Sequence, residues 1–158
     1  MSKYNITPEA IASLKNFVLP TSLEFGRVIA PIMVSCDYAN GRWGEMQILP
    51  FGQIHICPTA KVFHYAQEIF EGMKAYRVED KGPFLFRPDM NFNRFNASAA
   101  RMAIPEIPEQ LFYESINAIT AYCAKFIPKN SGQSLYLRPF TFATEESLGI
   151  RPSATFKY

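Results

Sequence analysis

HYAQEIFEGMKAY, residues 64–76, brings aromatic residues, glutamates, a glycine and a lysine together within a short length of chain. The second half of the segment predicts a strand, on which Lys74 and Tyr76 share one face because alternate side chains of a strand point the same way. Three roles are open for Lys74: a lysine that forms a Schiff base, a phosphate-binding lysine or a solvated side chain. A catalytic lysine must be desolvated to lose its proton near neutral pH. Nothing in the neighbouring sequence provides this, so the pattern favours a solvated Lys74.

On both sides of this segment, the pattern of apolar and polar residues predicts short strands and longer helices. Before it, Val28–Phe51 is strand-like and is interrupted by YANG at residues 38–41. An Asn-Gly pair between apolar runs is a strong hairpin signal, because both turn residues must accept positive φ. The other predicted elements are a short N-terminal helix capped by Thr7, strands at Gln53–Cys57, Pro83–Arg87 and Ser134–Thr144, and helices from about Pro88 to Met102 and from about Pro108 to Phe126. We therefore expect an α+β domain in which two main helices pack on a mostly antiparallel sheet.

Each of the two main helices carries one apolar face at helical spacing. These faces are the predicted core: Phe92, Phe95, Ala99 and Met102 on the first helix, and Leu111, Phe112, Ile116, Ile119, Cys123 and Phe126 on the second.

Composition argues against several classes of function. The chain has 158 residues, of which 48% are hydrophobic, enough for one domain with a true core. A net charge of +2 argues against a strongly basic nucleic-acid-binding protein. The three cysteines form no CxxC pair, which indicates a reducing compartment and neither a disulfide framework nor a cysteine metal site. No apolar run approaches the roughly 18–20 residues that span a membrane, and no signal-peptide pattern is present.

The residue types that commonly build catalytic or metal sites form no recognisable cluster in the sequence. His55 and His64 lie in separate segments without ligand spacing, so we expect no metal site. No GxSxG, GxGxxG or P-loop motif occurs. Adjacent side chains normally point apart, so Glu145 and Glu146 are expected to be solvated surface residues and not an acid/base pair.

Two arginines have roles that the local pattern leaves open. Arg94 precedes Phe95 and so flanks a buried helix face, where it could hold a phosphate bidentately or be an ordinary surface arginine. Tyr136 and Arg138 are two residues apart on a predicted strand and share one face. If Arg138 is buried it needs an acidic partner, which a substrate carboxylate would supply. Alternatively, it faces water on an edge strand marked by Pro139.

The end of the chain, Ala154–Tyr158, resembles a strand that has just begun, with no turn or polar tail after it. An orphan strand buries little and leaves its backbone unpaired, so we expect the chain to be a fragment of a longer protein. A naturally short, frayed terminus is the alternative.

Four segments are distinctive in combination: HYAQEIFEGMKAY at 64–76, LFRPDMNFNRF at 85–95, SLYLRPF at 134–140 and ESLGI at 146–150. In this order and at these spacings they resemble the branched-chain amino acid aminotransferases, which are pyridoxal-phosphate enzymes of fold type IV. The resemblance runs from about Phe25 to the end of the chain. It implies a cytoplasmic homodimer that uses pyridoxal 5'-phosphate to move an amino group from leucine, isoleucine or valine to 2-oxoglutarate. It implies small-molecule amino acid and 2-oxo acid substrates, and neither nucleic acid nor membrane as a partner.

The resemblance also assigns roles to individual residues. Arg94, the second arginine of LFRPDMNFNR, matches the residue that binds the cofactor phosphate. The implied substrate-binding residues are the pocket aromatics Phe25, Tyr65 and Phe70, then Tyr136 and Arg138 near the substrate carboxylates, and Leu148 and Ile150 on a loop that enters the pocket of the neighbouring subunit. No catalytic residue is implied in this chain. The family's Schiff-base lysine is expected beyond Tyr158, and Lys74 does not match it.

We interpret residues 1–24 as an N-terminal helical extension, 25–150 as the small N-terminal aminotransferase domain and 151–158 as the start of the interdomain region. On this interpretation the chain is part of a transaminase and is inactive alone. A stand-alone binding or dimerisation module is one alternative. A D-amino acid aminotransferase or an aminodeoxychorismate lyase, which share the fold, is another, although SLYLRP and ESLGI favour the branched-chain group.

Overall fold

The computed structural model describes residues 4–130 and 132–158, so the first three residues of the predicted N-terminal extension lie outside it. The helices of the described residues are α1 (Pro8–Asn16), α2 (Lys61–Tyr65), α3 (Pro88–Arg101) and α4 (Glu109–Tyr122), with a 3-10 turn at Ala124–Phe126. The strands are β1 (Ile32–Ser35), β2 (Asp37–Ala39), β3 (Arg42–Trp43), β4 (Gln47–Pro50), β5 (Glu68–Phe70), β6 (Met73–Val78), β7 (Lys81–Leu85), β8 (Leu135–Leu137), β9 (Phe140–Ala143) and β10 (Phe156–Lys157).

The strands of the described residues form three antiparallel sheets. The largest has the order β3-β2-β10-β9-β5, the second has the order β7-β6-β8, and β1 pairs with β4. The predicted α+β class with mostly antiparallel strands is therefore confirmed. No helix in the described part of the chain is long and apolar enough to cross a membrane.

Two local predictions are confirmed by backbone geometry. The Thr7 side chain caps α1 by accepting a hydrogen bond from the Ala10 N–H at 3.2 Å, and Pro8 stands at the first helical position. Between β2 and β3, Asn40 and Gly41 adopt φ values of 53° and 77°, as a two-residue hairpin turn requires.

Other predicted elements differ from the structure because strand pairing is a tertiary property. Gln53–Cys57 forms no strand, since no neighbouring strand pairs with it. The predicted strand Ser134–Thr144 is divided into β8 and β9, which belong to different sheets. The helix expected to reach Phe126 ends as α4 at Tyr122 and continues as the 3-10 turn.

The expectation of an orphan strand at the end of the chain is wrong. β10 lies in the middle of the five-stranded sheet and pairs with β2 on one side and β9 on the other. The Phe156 and Tyr158 side chains are buried, and the Tyr158 hydroxyl lies 2.6 Å from the Ser115 Oγ. The pattern of the last residues did not reveal these partners, because pairing with β2, far away in the sequence, and with β9, across the intervening loop, depends on tertiary packing.

Within residues 4–130 and 132–158 the core has two clusters, and α4 contributes to both. The main cluster contains Phe95, Ala99, Phe112 and Ile116 from the predicted helix faces. The second cluster joins α1 to β1, β4 and the end of α4. Met102 was expected in the core but is exposed, because α3 ends at Arg101 and the chain turns away from the helix.

Candidate functional site

Two chain segments connect the five-stranded sheet and the three-stranded sheet at the same place. β5 runs into β6, and β8 runs into β9, each with two intervening residues. On the five-stranded side Phe70 pairs with Phe140, and the Glu71 N–H donates to the Pro139 carbonyl oxygen at 2.8 Å. This junction brings side chains from two distant segments into one group.

Arg138 is the centre of an aromatic group at the junction. Its guanidinium lies 4.3 Å from the centroid of the Phe70 ring and donates from Nε and Nη2 to the Tyr136 hydroxyl at 3.1 and 2.9 Å. The Phe25 ring meets the Tyr136 ring edge-on, with centroids 5.3 Å apart. Among the described residues, no carboxylate forms an ion pair with Arg138. The arrangement presents a cation next to aromatic surface, with capacity left for an anionic ligand.

A cleft of about 300 Å³ lies beside the Tyr136 side chain. It is lined by Gly72, Met73, Lys74, Tyr76, Phe86, Asn91 and Tyr136. A Cβ at position 72 would overlap the Tyr136 hydroxyl, so this close approach requires glycine. Lys74 is the cross-strand neighbour of Tyr136 and is exposed, as the sequence predicted.

A second polar group joins Glu71 to two residues of α3. Arg94 donates to the Glu71 carboxylate from Nε at 2.5 Å and from Nη2 at 2.7 Å, and Asn91 Nδ2 donates to the same carboxylate at 2.7 Å and to the Gly72 carbonyl at 3.2 Å. The Glu71 side chain is only 6% exposed, whereas that of Arg94 is 64% exposed. Burial alone would raise the pKa of Glu71, but the hydrogen bonds and charge of Arg94 and the bond from Asn91 outweigh it and lower the pKa. The carboxylate is therefore ionised at neutral pH and holds the guanidinium in place.

Glu71 and Asn91 are the residues of this group that sequence reasoning missed. If a glutamate between Phe70 and Gly72 is buried, its carboxylate requires a cation as a partner. The sequence could therefore have signalled that such a partner exists. The identity of that cation was not readable, since Arg94 lies 23 residues away on a helix. The motif identified Arg94 as a candidate. In the structure, its ion pair with Glu71 holds it next to the junction.

Tyr65, Leu148 and Ile150 lie around the loop between β9 and β10. The Tyr65 hydroxyl donates a hydrogen bond to the Leu148 carbonyl oxygen, and Leu148 and Ile150 are 56% and 92% exposed. The structure thus brings Phe25, Phe70, Tyr136 and Arg138 together, and pairs Tyr65 with Leu148 separately.

Glu145, on the same loop, is not the solvated surface residue that the sequence predicted. Its side chain is only 14% exposed and pairs with Lys61 and Arg151 at 3.3 and 2.5 Å, whereas Glu146 is exposed as predicted. The expectation of a solvated carboxylate at Glu145 is wrong, because Lys61 of α2 and Arg151 of the same loop both pair with it.

Comparison with curated proteins finds close relatives, although no family model matches the chain. The branched-chain-amino-acid aminotransferase of Mycolicibacterium smegmatis is 48% identical over 136 residues, which are 85% of this chain and 37% of that protein. Branched-chain-amino-acid aminotransferase 2 of Bacillus subtilis is 40% identical over 158 residues, which are 99% of this chain and 44% of that protein. The chain thus spans about two fifths of the length of these relatives.

Solved structures show the same fold. A branched-chain amino acid aminotransferase from Escherichia coli superposes with a TM-score of 0.55 at 22% identity, over 78% of this chain and 39% of that one. A second branched-chain amino acid aminotransferase, complexed with N-(5'-phosphopyridoxyl)-L-glutamate, gives a TM-score of 0.51 at 27% identity, over 80% of this chain and 40% of that one. Over most of its length, this chain is therefore homologous to the branched-chain-amino-acid aminotransferases and has the α+β fold of their N-terminal part.

Proposed function

We propose that this chain forms the substrate-facing part of a cytoplasmic, pyridoxal-phosphate-dependent aminotransferase that exchanges amino groups between branched-chain amino acids and 2-oxoglutarate. The observation that carries the proposal is the group formed by Arg138, Tyr136, Phe70 and Phe25. The names of the curated relatives support the branched-chain substrates over the D-amino acid aminotransferase and lyase alternatives. One structural neighbour was solved with a phosphopyridoxyl-glutamate compound, which supports the cofactor and the second substrate.

The chemistry of this group suits both substrates. The aromatic rings provide apolar surface for a branched side chain. The guanidinium of Arg138, with the Tyr136 hydroxyl fixed against it, can receive a carboxylate through charge-assisted hydrogen bonds. Glutamate carries one more carboxylate than leucine. Because no described carboxylate pairs with Arg138, the extra carboxylate of glutamate can bind to Arg138 on the same surface.

Arg94 fits a role in holding the cofactor phosphate. Glu71 occupies only the Nε and Nη2 side of its guanidinium, so the edge that includes Nη1 remains open to a phosphate. Glu71 and Asn91 would keep the guanidinium in this orientation. When bound, pyridoxal phosphate supplies the electron sink for transamination, and the protein supplies binding and orientation.

Leu148 and Ile150 are proposed to enter the pocket of a neighbouring subunit in a homodimer. Their exposure supports this proposal, because a large apolar side chain such as Ile150, 92% exposed here, gains by burial at an interface.

We propose that the lysine that bonds to the cofactor is not among the described residues. Lys61 is fully buried and forms an ion pair with Glu145. Lys74 is exposed, Lys129 pairs with Asp80, and Lys157 pairs with Asp37. A Schiff-base lysine must be both desolvated and free of an ion-pair partner, and none of these four lysines meets both conditions.

The 158-residue chain alone is therefore expected to be inactive. After incubation with pyridoxal phosphate and reduction with borohydride, peptide mass spectrometry should find no single lysine that carries the pyridoxyl group. Production of glutamate from leucine and 2-oxoglutarate should require the polypeptide region that the longer relatives possess. A stable adduct at one specific lysine of this chain would contradict the proposal.

In the full-length aminotransferase, Arg94→Ala is expected to weaken cofactor binding by about tenfold, since a charge-assisted hydrogen bond to the phosphate is lost. The dissociation constant can be measured by fluorescence titration with pyridoxal phosphate. Arg101→Ala, an exposed arginine in the last turn of the same helix, is the matched control and should leave affinity unchanged. Equal cofactor affinity in the Arg94→Ala and wild-type proteins would reject the phosphate role.

A further inference from the structure

A buried lysine lies beneath the loop that carries Leu148 and Ile150. Lys61, the first residue of α2, is 0% exposed. Its Nζ donates to the Arg151 carbonyl oxygen at 2.9 Å and lies 3.3 Å from Oε2 of Glu145. A buried ammonium is costly unless it is paired and hydrogen-bonded. Both partners of this ammonium belong to one loop. Glu145 lies at its start, and Arg151 lies directly after its tip, which carries Leu148 and Ile150.

The Glu145 carboxylate ties the loop together from inside. It accepts hydrogen bonds from Arg151 Nη1 and Nη2 at 3.1 and 2.5 Å and from the Ala154 N–H at 2.7 Å. The bond from Ala154, helped by the two cations and opposed by burial, lowers the pKa of Glu145. The base of the loop is closed where the Thr144 N–H donates to the Thr155 carbonyl oxygen at 3.0 Å.

The region around α2 contacts this loop on both sides of its tip. Lys61 and Tyr65 are four residues apart, so they lie on the same face of α2. The Tyr65 hydroxyl donates to the Leu148 carbonyl oxygen, and the Ser147 N–H donates to the Thr59 carbonyl oxygen at 3.1 Å. Lys61 contacts the loop after its tip, through the hydrogen bond to the Arg151 carbonyl oxygen.

We propose that Lys61 is a positioning residue for residues 144–155, which we call the 144–155 loop. It holds the loop backbone at Arg151 and thereby presents Leu148 and Ile150 in one arrangement. Exposed ion pairs contribute little to stability, but the ion pair between Lys61 and Glu145 is shielded from water. Its loss should therefore make local opening of the loop easier. The use of this arrangement for closing an apolar substrate pocket rests on the proposed function.

The test is amide hydrogen exchange in the 158-residue chain, compared between wild type and Lys61→Met. Methionine keeps an unbranched side chain of similar length but removes the charge and the donor. The amides of Ser147, Arg151 and Ala154 should exchange at least about tenfold faster, because local opening of the loop becomes easier. Amides of β6, in the three-stranded sheet, should exchange at the wild-type rate.

Lys129→Met is the matched control. It removes a lysine whose ion pair with Asp80 is exposed, so exchange in the 144–155 loop should not change. Lys61→Gln is the second variant if Lys61→Met does not fold, because glutamine keeps a hydrogen-bond donor for Glu145 without reaching Arg151. Its loop amides should also exchange faster than those of the wild type.

Wild-type exchange in the loop of a folded Lys61 variant would overturn the proposal. An equal increase in β6 would also overturn it, since it would mean that Lys61 only supports overall stability. This readout does not depend on transamination. A full-length protein without aminotransferase activity would therefore refute the proposed function without affecting the result for Lys61.

Discussion

Arg138→Met in the full-length aminotransferase that we propose is expected to lower kcat/KM for glutamate by about 100-fold, the order expected when charged hydrogen bonds to a substrate are lost. The loss should be much smaller for leucine, because leucine has no side-chain carboxylate. The reason lies in the site itself, where Arg138 has no ion-pair partner among the described carboxylates. The measurement is the steady-state kinetics of each amino donor with its matching 2-oxo acid.

Tyr136→Phe is the comparison for this experiment. It removes the hydroxyl that accepts from Nε and Nη2 of Arg138 but keeps the ring against Phe25. We expect a smaller loss of turnover than for Arg138→Met, with little change in the melting temperature. Equal losses of kcat/KM for glutamate and leucine in Arg138→Met would contradict a role for this arginine at the side-chain carboxylate.

Phe112→Ala is expected to lower the free energy of unfolding of the 158-residue chain by about 3–5 kcal/mol, the usual cost of removing a fully buried phenylalanine ring. Phe112 is 0% exposed, and its ring centroid lies 5.4 Å from that of Phe92 and 5.9 Å from that of Phe95. The truncation therefore leaves a cavity between α3 and α4 that neighbouring side chains fill only in part. Urea unfolding followed by circular dichroism measures the change.

Phe86→Ala is the control for Phe112→Ala. Phe86 is 77% exposed, so its truncation should change the free energy of unfolding by less than about 0.5 kcal/mol. A loss below about 1 kcal/mol for Phe112→Ala would mean that the helix pair is not the centre of the core.

Local chemistry makes several elements readable from the order of the residues. Thr7 and Pro8 begin α1, Asn40-Gly41 makes the hairpin, and apolar spacing places Phe95 and Phe112 in the core. Each of these depends on residues only a few positions apart, and hydrogen-bond geometry and periodicity act at that range. The roles of Arg94, Tyr136 and Arg138 were left open by the local pattern and were assigned only by the family resemblance of four segments taken together.

The sequence by itself thus determined the α+β class, the main helices, the hairpin and the residues worth examining at the site. Only the tertiary structure decided which of those residues meet, that β8 and β9 separate into two sheets, and that Glu71 and Lys61 are buried and paired. The charged partner of Glu71 is Arg94, 23 residues away, and that of Lys61 is Glu145, on the distant loop between β9 and β10. A buried charge requires a partner, but any of several oppositely charged residues satisfies that requirement in the sequence, and only the packing of sheets and helices selects one.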